Sequence, residues 1–281
     1  MRDDELAVMA GRTVLVTGSS DGLGAHVAVR LGAAGARVIV HGRDAERAAG
    51  TARRIVEAGG PEPDVVLADL ARLAEADRLA DEVLARTGRL DVLVNNAGIG
   101  FGDPGEARSL SGDGYELRFA VNYLAPALLT RRLLPLLTAS APARIVNVSS
   151  VGQQAIDFAD PMLERGYDGP RAYRQSKLAQ IMATFDLAAE LAGTGVTVNA
   201  LHPATFMATR MVLAGGHTPL SSVAEGGDAT LRLIADPALD GVTGRYYDGL
   251  RETAPHRQAA DPDARRRLRE LTDALIAGAL G

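Results

Sequence analysis

Short apolar runs alternate with stretches of helical periodicity along almost the whole chain. Arg12–Thr17, Arg37–His41, Asp64–Ala68, Asp91–Asn95, Ala143–Ser149 and Val196–Leu201 read as strands, with Arg245–Asp248 a short seventh. Helical patterns fall between them, near 22–34, 44–58, 71–87, 114–138 and 172–193, and a last one covers about 261–279. Strands this uniformly apolar, separated by helices, predict a parallel sheet covered on both faces. The expected fold class is therefore α/β: one doubly wound sheet of about seven strands, forming a single domain over 1–281. No internal repeat or low-complexity linker interrupts it.

Three irregular stretches break the rhythm, at 96–113, 151–171 and 202–219, and each follows the C-terminal end of a predicted strand. Ligands bind at that edge in open α/β sheets. The stretches are accordingly the expected substrate loops.

Composition narrows the chemistry. Thirty Lys+Arg against 35 Asp+Glu give a formal charge of −5, which argues against a nucleic-acid partner. With no cysteine there is no disulfide, thiolate metal site or cysteine nucleophile. The five histidines show no short-range ligand spacing, so no metal site is expected. No apolar run approaches the ~20 residues of a membrane span. Met1-Arg2-Asp3-Asp4-Glu5 lacks the apolar core of a secretory signal, and the cytoplasm is the expected location. One oddity remains: Lys177 is the only lysine, and the other 29 basic residues are arginine. That raises the question of whether position 177 needs a compact ammonium.

The first strand ends in Thr17-Gly18-Ser19-Ser20-Asp21-Gly22-Leu23-Gly24. Glycines let the backbone turn tightly and approach a pyrophosphate, and the following helix offers free N–H groups to an anion. The spacing is Gly-x-x-x-Gly-x-Gly, neither the commoner dinucleotide fingerprint nor a P-loop. Residues 18–24 are thus candidate phosphate binders. Strand two ends in His41-Gly42-Arg43, with glycine where a carboxylate would grip an adenosine ribose and arginine beside it. A guanidinium suits a 2′-phosphate, which favours NADP over NAD. Asp21 and Asp44 are nearby acids that oppose that choice. Asp69-Leu70 is placed to meet the adenine, and Asn95-Asn96-Ala97-Gly98 closes strand four.

Tyr173-Arg174-Gln175-Ser176-Lys177 opens a predicted helix, placing Tyr173 and Lys177 on one face, a turn apart. Bringing a tyrosine from ~10 to ~7 takes about 4 kcal/mol. One positive charge at ~4 Å supplies that at an effective dielectric of about 20. A lone lysine would fall four after one of six tyrosines by chance in roughly 2% of placements, so the pair is treated as chemical.

Together TGSSDGLG (17–24), NNAG (95–98), VN (121–122), IVNVSS (145–150) and YRQSK (173–177) resemble the short-chain dehydrogenase/reductase family. The likeness runs from Thr13 to about Asp248, and AYRQSKLAQ with the long segment before it is most similar to the retinol-dehydrogenase-like branch. The resemblance implies a Rossmann-type fold, a homo-oligomer, and a catalytic tetrad at Asn122, Ser150, Tyr173 and Lys177, with Ser149 also available. It implies that Tyr173 is the general acid/base, that Ser150 stabilises the substrate oxygen, that Lys177 lowers the tyrosine pKa and holds the nicotinamide ribose, and that Asn122 anchors a water relay. Pro203 and Thr205 should line the nicotinamide amide. Two features depart from the family pattern: 23 residues separate Ser150 from Tyr173, and His202-Pro203-Ala204-Thr205 stands where Pro-Gly is common.

The substrate partner is expected to be a small alcohol or carbonyl without an anionic handle. Phe101, Ile156, Phe158, Met162, Leu163, Tyr167, Phe206, Met207 and Met211 are the candidate apolar wall, though they serve equally as core residues tying the loops down. Two other functions stay open, a sugar-nucleotide epimerase or dehydratase using the same Tyr/Lys pair and a non-catalytic NADP-binding sensor.

Overall fold

Every residue of β1 (Thr13–Val16) is buried, and its side chains alternate between two cores. Val14 and Val16 pack with α1 (Gly22–Ala33), α2 (Ala45–Glu57) and α8 (Val223–Ala235) on one side of the sheet. Leu15 packs on the other side with α3 (Leu73–Arg86), α5 (Ala125–Ala139), α6 (Gly169–Glu190) and α9 (Pro262–Leu280). That alternation follows from the two-residue period of a strand with apolar layers above and below it. The structure is a computed structural model that describes all residues except Asp3, Asp103 and Pro104, so two positions of the 96–113 stretch lie outside the described residues.

The sheet order is β3-β2-β1-β4-β5-β6-β7-β8. β2 (Arg37–Gly42), β3 (Asp64–Leu67), β4 (Val92–Asn95), β5 (Ala143–Val148), β6 (Val196–His202) and β7 (Arg245–Asp248) join β1 in one parallel array. β8 (Arg251–Glu252) turns back antiparallel on β7, making eight strands where about seven were expected. The order reverses between β1 and β4, and the crevice there opens at the strands' C-terminal ends.

Three helical expectations change. The 114–138 helix is divided into α4 (Leu117–Phe119), a π-helical turn at Ala120–Leu124 and α5. α6 starts at Gly169 rather than 172, because Asp168 accepts the Arg171 N–H at 2.8 Å and Pro170 sits in the first turn. α8 was not anticipated at all, although Ser222 and Glu225 form a reciprocal capping box at its start. The 202–219 stretch also carries a short helix, α7 (Arg210–Ala214). Among the described residues no helix is long and apolar enough to cross a membrane, and no group of His, Asp and Glu could hold a metal ion.

Candidate active site

The turn after β1 is held from two sides. His41, at the end of β2, accepts the Gly18 N–H on Nδ1 at 3.0 Å and donates from Nε2 to the Ala68 carbonyl at 3.2 Å. Burial pushes this imidazole down to about 4, so it stays neutral with that tautomer. Just beyond β4, Asn96 donates its amide to the Thr17 and Gly18 carbonyls at 2.8 and 3.1 Å. Gly24 is required by close approach, since a Cβ there would lie 2.4 Å from both the Gly18 oxygen and the Asn96 amide nitrogen. Asp21 caps α1 by accepting the Gly22 N–H at 2.7 Å.

A cavity of about 540 Å³ runs from this turn to the C-terminal ends of β4, β5 and β6. Of the expected cofactor residues, Gly18, Ser20, Asp21, Gly22, Leu23, Gly24, Arg43, Asp69, Leu70, Ala97, Gly98, Tyr173, Lys177, Pro203 and Thr205 line it. Two do not. Ser19 is fully buried, its hydroxyl accepting the His41 N–H at 3.0 Å. Asn95 turns into the layer between sheet and helices, donating to Thr130 at 3.0 Å and Asn147 at 2.8 Å. The cavity wall takes Asn96 in its place.

Ser150, Tyr173 and Lys177 converge at the inner end. Ser150 is fixed through its backbone, whose carbonyl accepts from Tyr246 at 2.9 Å and from Gln153 at 3.0 Å, while its hydroxyl accepts the Gly152 N–H at 3.0 Å. Ser149 is set apart, donating to the Lys177 carbonyl at 2.7 Å. Lys177 Nζ sits 5.8 Å from the Tyr173 ring centroid and donates to the Val148 carbonyl at 2.9 Å. Burial governs both groups. It raises the Tyr173 phenol, against a Ser150 hydrogen bond that lowers it, and pushes Lys177 down to about 7. In the protein alone Ser150 is the group that lowers the phenol, and the lowering expected from the Lys177 ammonium is not seen, because burial disfavours both charged forms.

Asn122 lies in the π-helical turn. Its Oδ1 accepts the Ile99 N–H at 2.8 Å, and its Nδ2 donates to the Ile99 carbonyl at 3.1 Å and to Ser176 at 3.0 Å. The extra backbone residue of a π turn aims this amide at the loop after β4.

Of the candidate apolar wall, Phe101, Phe206, Met207 and Met211 line the cavity, whereas Ile156, Phe158, Met162, Leu163 and Tyr167 do not. Phe101 packs on Tyr173 with centroids 4.3 Å apart, and His217 stacks on Phe206 at 4.7 Å. A buried ionic cluster ties the loops beneath: Arg118 donates to the Gly100 carbonyl at 2.7 Å, the Tyr167 hydroxyl at 2.6 Å and Glu106 at 3.0 Å. Burial and the neighbouring Glu116 push the Tyr167 phenol up to about 12. Neither Arg118, Tyr246 nor His41 carried a sequence signal, since each acts through contacts made by distant segments.

The short chain dehydrogenase family model matches residues 12–217. Retinol dehydrogenase 14 of Mus musculus is 38% identical over 96% of this chain and 87% of its own length. Retinol dehydrogenase 13 of Mus musculus is 39% identical, covering 93% of this chain and 83% of its own. Among solved structures, an uncharacterised protein from Mycobacterium paratuberculosis superposes with a TM-score of 0.81 at 30% identity, covering 99% of this chain and 97% of that one. The NADP complex of Pseudomonas aeruginosa RhlG gives a TM-score of 0.72 at 33% identity, covering 88% of this chain and 97% of that one. The family match spans most of the chain and the relatives agree with it: this protein belongs to the short-chain dehydrogenase/reductase family, on its retinol-dehydrogenase-like branch, and is an oxidoreductase acting on CH–OH groups.

Proposed function

We propose that the protein is an NADP(H)-dependent dehydrogenase/reductase for an apolar alcohol or carbonyl compound, working through Tyr173, Ser150 and Lys177. The observation that carries this is the single cavity joining the glycine turn to Tyr173. The glycine turn fits a dinucleotide, because Gly18 and Gly24 let the turn pack directly against Ala97 and Asn96 beside the cavity, and α1 opens there with its N-terminal amides. A nicotinamide dinucleotide supplies or accepts the hydride when bound. Tyr173 delivers the proton to the substrate oxygen in reduction and removes it in oxidation. Ser150 donates to the same oxygen and stabilises its developing charge. Lys177 faces the cavity beside Tyr173, where a ribose can bond it, and Asn122 holds the loop that closes over it.

NADP rather than NAD is supported by Arg43, which is exposed at the cavity edge and makes no ion pair among the described residues. The two opposing acids are partly neutralised: Arg47 pairs with Asp44 at 3.0 Å and reaches Asp21 at 3.9 Å. RhlG was solved with NADP, and a short-chain dehydrogenase from Escherichia coli CFT073 with NADPH. A homo-oligomer in the cytoplasm is carried over from the family resemblance and the composition.

The test is a panel of alcohols and carbonyls with NADP or NADPH, and with NAD or NADH alongside, followed at the nicotinamide absorbance. Apolar compounds should give the highest kcat/KM. Faster turnover of small charged ketones would refute the substrate class.

A further inference from the structure

The segment after β6 crosses the cofactor cavity as a strap. Backbone pairing closes its base: the Leu220 N–H donates to the Phe206 carbonyl at 2.9 Å, and the Ala208 N–H to the Ser221 carbonyl at 3.1 Å. Phe206 takes a left-handed φ of 45° there, a conformation disfavoured for any residue with a Cβ. The tip bears on two walls. A Cβ on Gly22, the first residue of α1, would lie 3.3 Å from Thr209 Cγ2. One on Gly100, in the loop after β4, would lie 2.8 Å from Met211 Cγ. Arg210 stands in sequence between these two contacts, and its side chain lines the cavity.

Little holds that side chain. Its Nη1 is 3.7 Å from Asp21 Oδ2, too long for a hydrogen bond, and this is its one ion pair among the described residues. The side chain is 69% exposed, and so open an ion pair contributes little. Asp21 is engaged elsewhere, since its Oδ1 caps α1 by accepting the Gly22 N–H. Arg47, the other guanidinium near Asp21, is committed to Asp44 through a hydrogen bond of 3.0 Å. A loosely held guanidinium therefore stands beside the first turn of α1, while Arg43 stands apart at the end of β2. A diphosphate offers it more charge than one exposed carboxylate, and several oxygens that its planar fork can bond in pairs.

We propose that Arg210 is a further cofactor-binding residue, its guanidinium exchanging Asp21 for the diphosphate of the dinucleotide and leaving the 2′-phosphate to Arg43. The strap also supplies Phe206, Met207 and Met211 to the cavity wall, so one segment serves both cofactor and substrate. This role rests on the reading of the cavity as a nicotinamide-dinucleotide site.

The test is equilibrium binding of NADPH and of NADH, read by the fluorescence of the dihydronicotinamide without any turnover. Arg210→Gln should raise the Kd for both cofactors by about tenfold, the loss of one charge-assisted contact. Arg210→Lys, which keeps a charge able to bind phosphate, should recover part of that loss. Asp21→Asn breaks the same ion pair but keeps the helix cap, because asparagine caps as well as aspartate. It removes a like charge beside the diphosphate and frees Arg210, so it should lower both Kd values several-fold. An unchanged Kd in Arg210→Gln overturns the proposal. Weakening by both Arg210→Gln and Asp21→Asn would mean that the ion pair itself holds the strap, and overturns the phosphate contact. Loss for NADPH alone overturns the assignment to the diphosphate. A wild-type protein that binds neither dinucleotide overturns the cofactor reading and this role with it, whereas tight wild-type binding with an unaffected Arg210→Gln overturns this role alone.

Discussion

The His41 imidazole holds the glycine turn through its Nδ1, which accepts the Gly18 N–H at 3.0 Å. The bond needs the neutral ring, and burial keeps the folded value at about 4 against 6.5 for the free side chain. The sign follows: above pH 6.5 neither state holds the proton. As pH falls from 6.5 to 4 the unfolded chain takes it up and the folded one does not, so stability is lost through that window. The difference amounts to roughly 3 kcal/mol. Urea titrations at pH 7 and pH 4.5 should show this loss in the wild type, and His41→Phe should remove much of the pH dependence while weakening NADPH binding.

Arg43 is the residue expected to read the 2′-phosphate. Removing one charge-assisted contact costs about 1.5–3 kcal/mol, or roughly 10- to 100-fold. Arg43→Ala should therefore raise the Kd for NADPH by that factor and leave NADH nearly unchanged, as read by fluorescence titration. Equal loss for both cofactors would place the guanidinium outside the recognition of the phosphate.

Gly98 lies where α6 and the π turn meet the cavity. A Cβ there would approach Asn122 Oδ1 to 3.2 Å and Lys177 Nζ to 3.5 Å. Gly98→Val should displace both groups, lowering kcat more than it lowers the melting temperature. A variant that loses stability and keeps kcat would contradict a functional placement of Asn122 and Lys177.

Arg118 is 3% exposed and bonds Gly100, Tyr167 and Glu106, with Glu116 3.6 Å away. Truncation strands the buried Glu116 carboxylate, and breaking such a pair costs about 3–5 kcal/mol. Arg118→Ala should lower stability by that amount in denaturant titration and raise KM, because the 96–113 and 151–171 segments lose their common anchor.

The sheet, the glycine turn and the Tyr173/Lys177 pair were legible in the sequence because each is local: a run of four apolar residues, a turn, one helical turn. α8 was hidden by Gly226, Gly227 and Thr230 in its interior, which depress helical propensity, yet Gly227 is where a Cβ would meet His26 of α1 at 2.4 Å. Its Ser222/Glu225 capping box was the available signal. The destinations of Ser19 and Asn95 were not legible, since alternation along a strand end decides which side a residue faces and one residue exchanges Asn95 for Asn96. The Arg118 cluster and the His41 bond depend on segments many residues apart in sequence, which no local pattern brings together.

Tyr173→Phe tests the proton-transfer role most directly, because it removes one hydroxyl and keeps the ring that packs on Phe101. Turnover with the best alcohol or carbonyl should be abolished, while the Kd for NADPH stays within a few-fold of the wild type. Turnover retained at wild-type level would contradict the account.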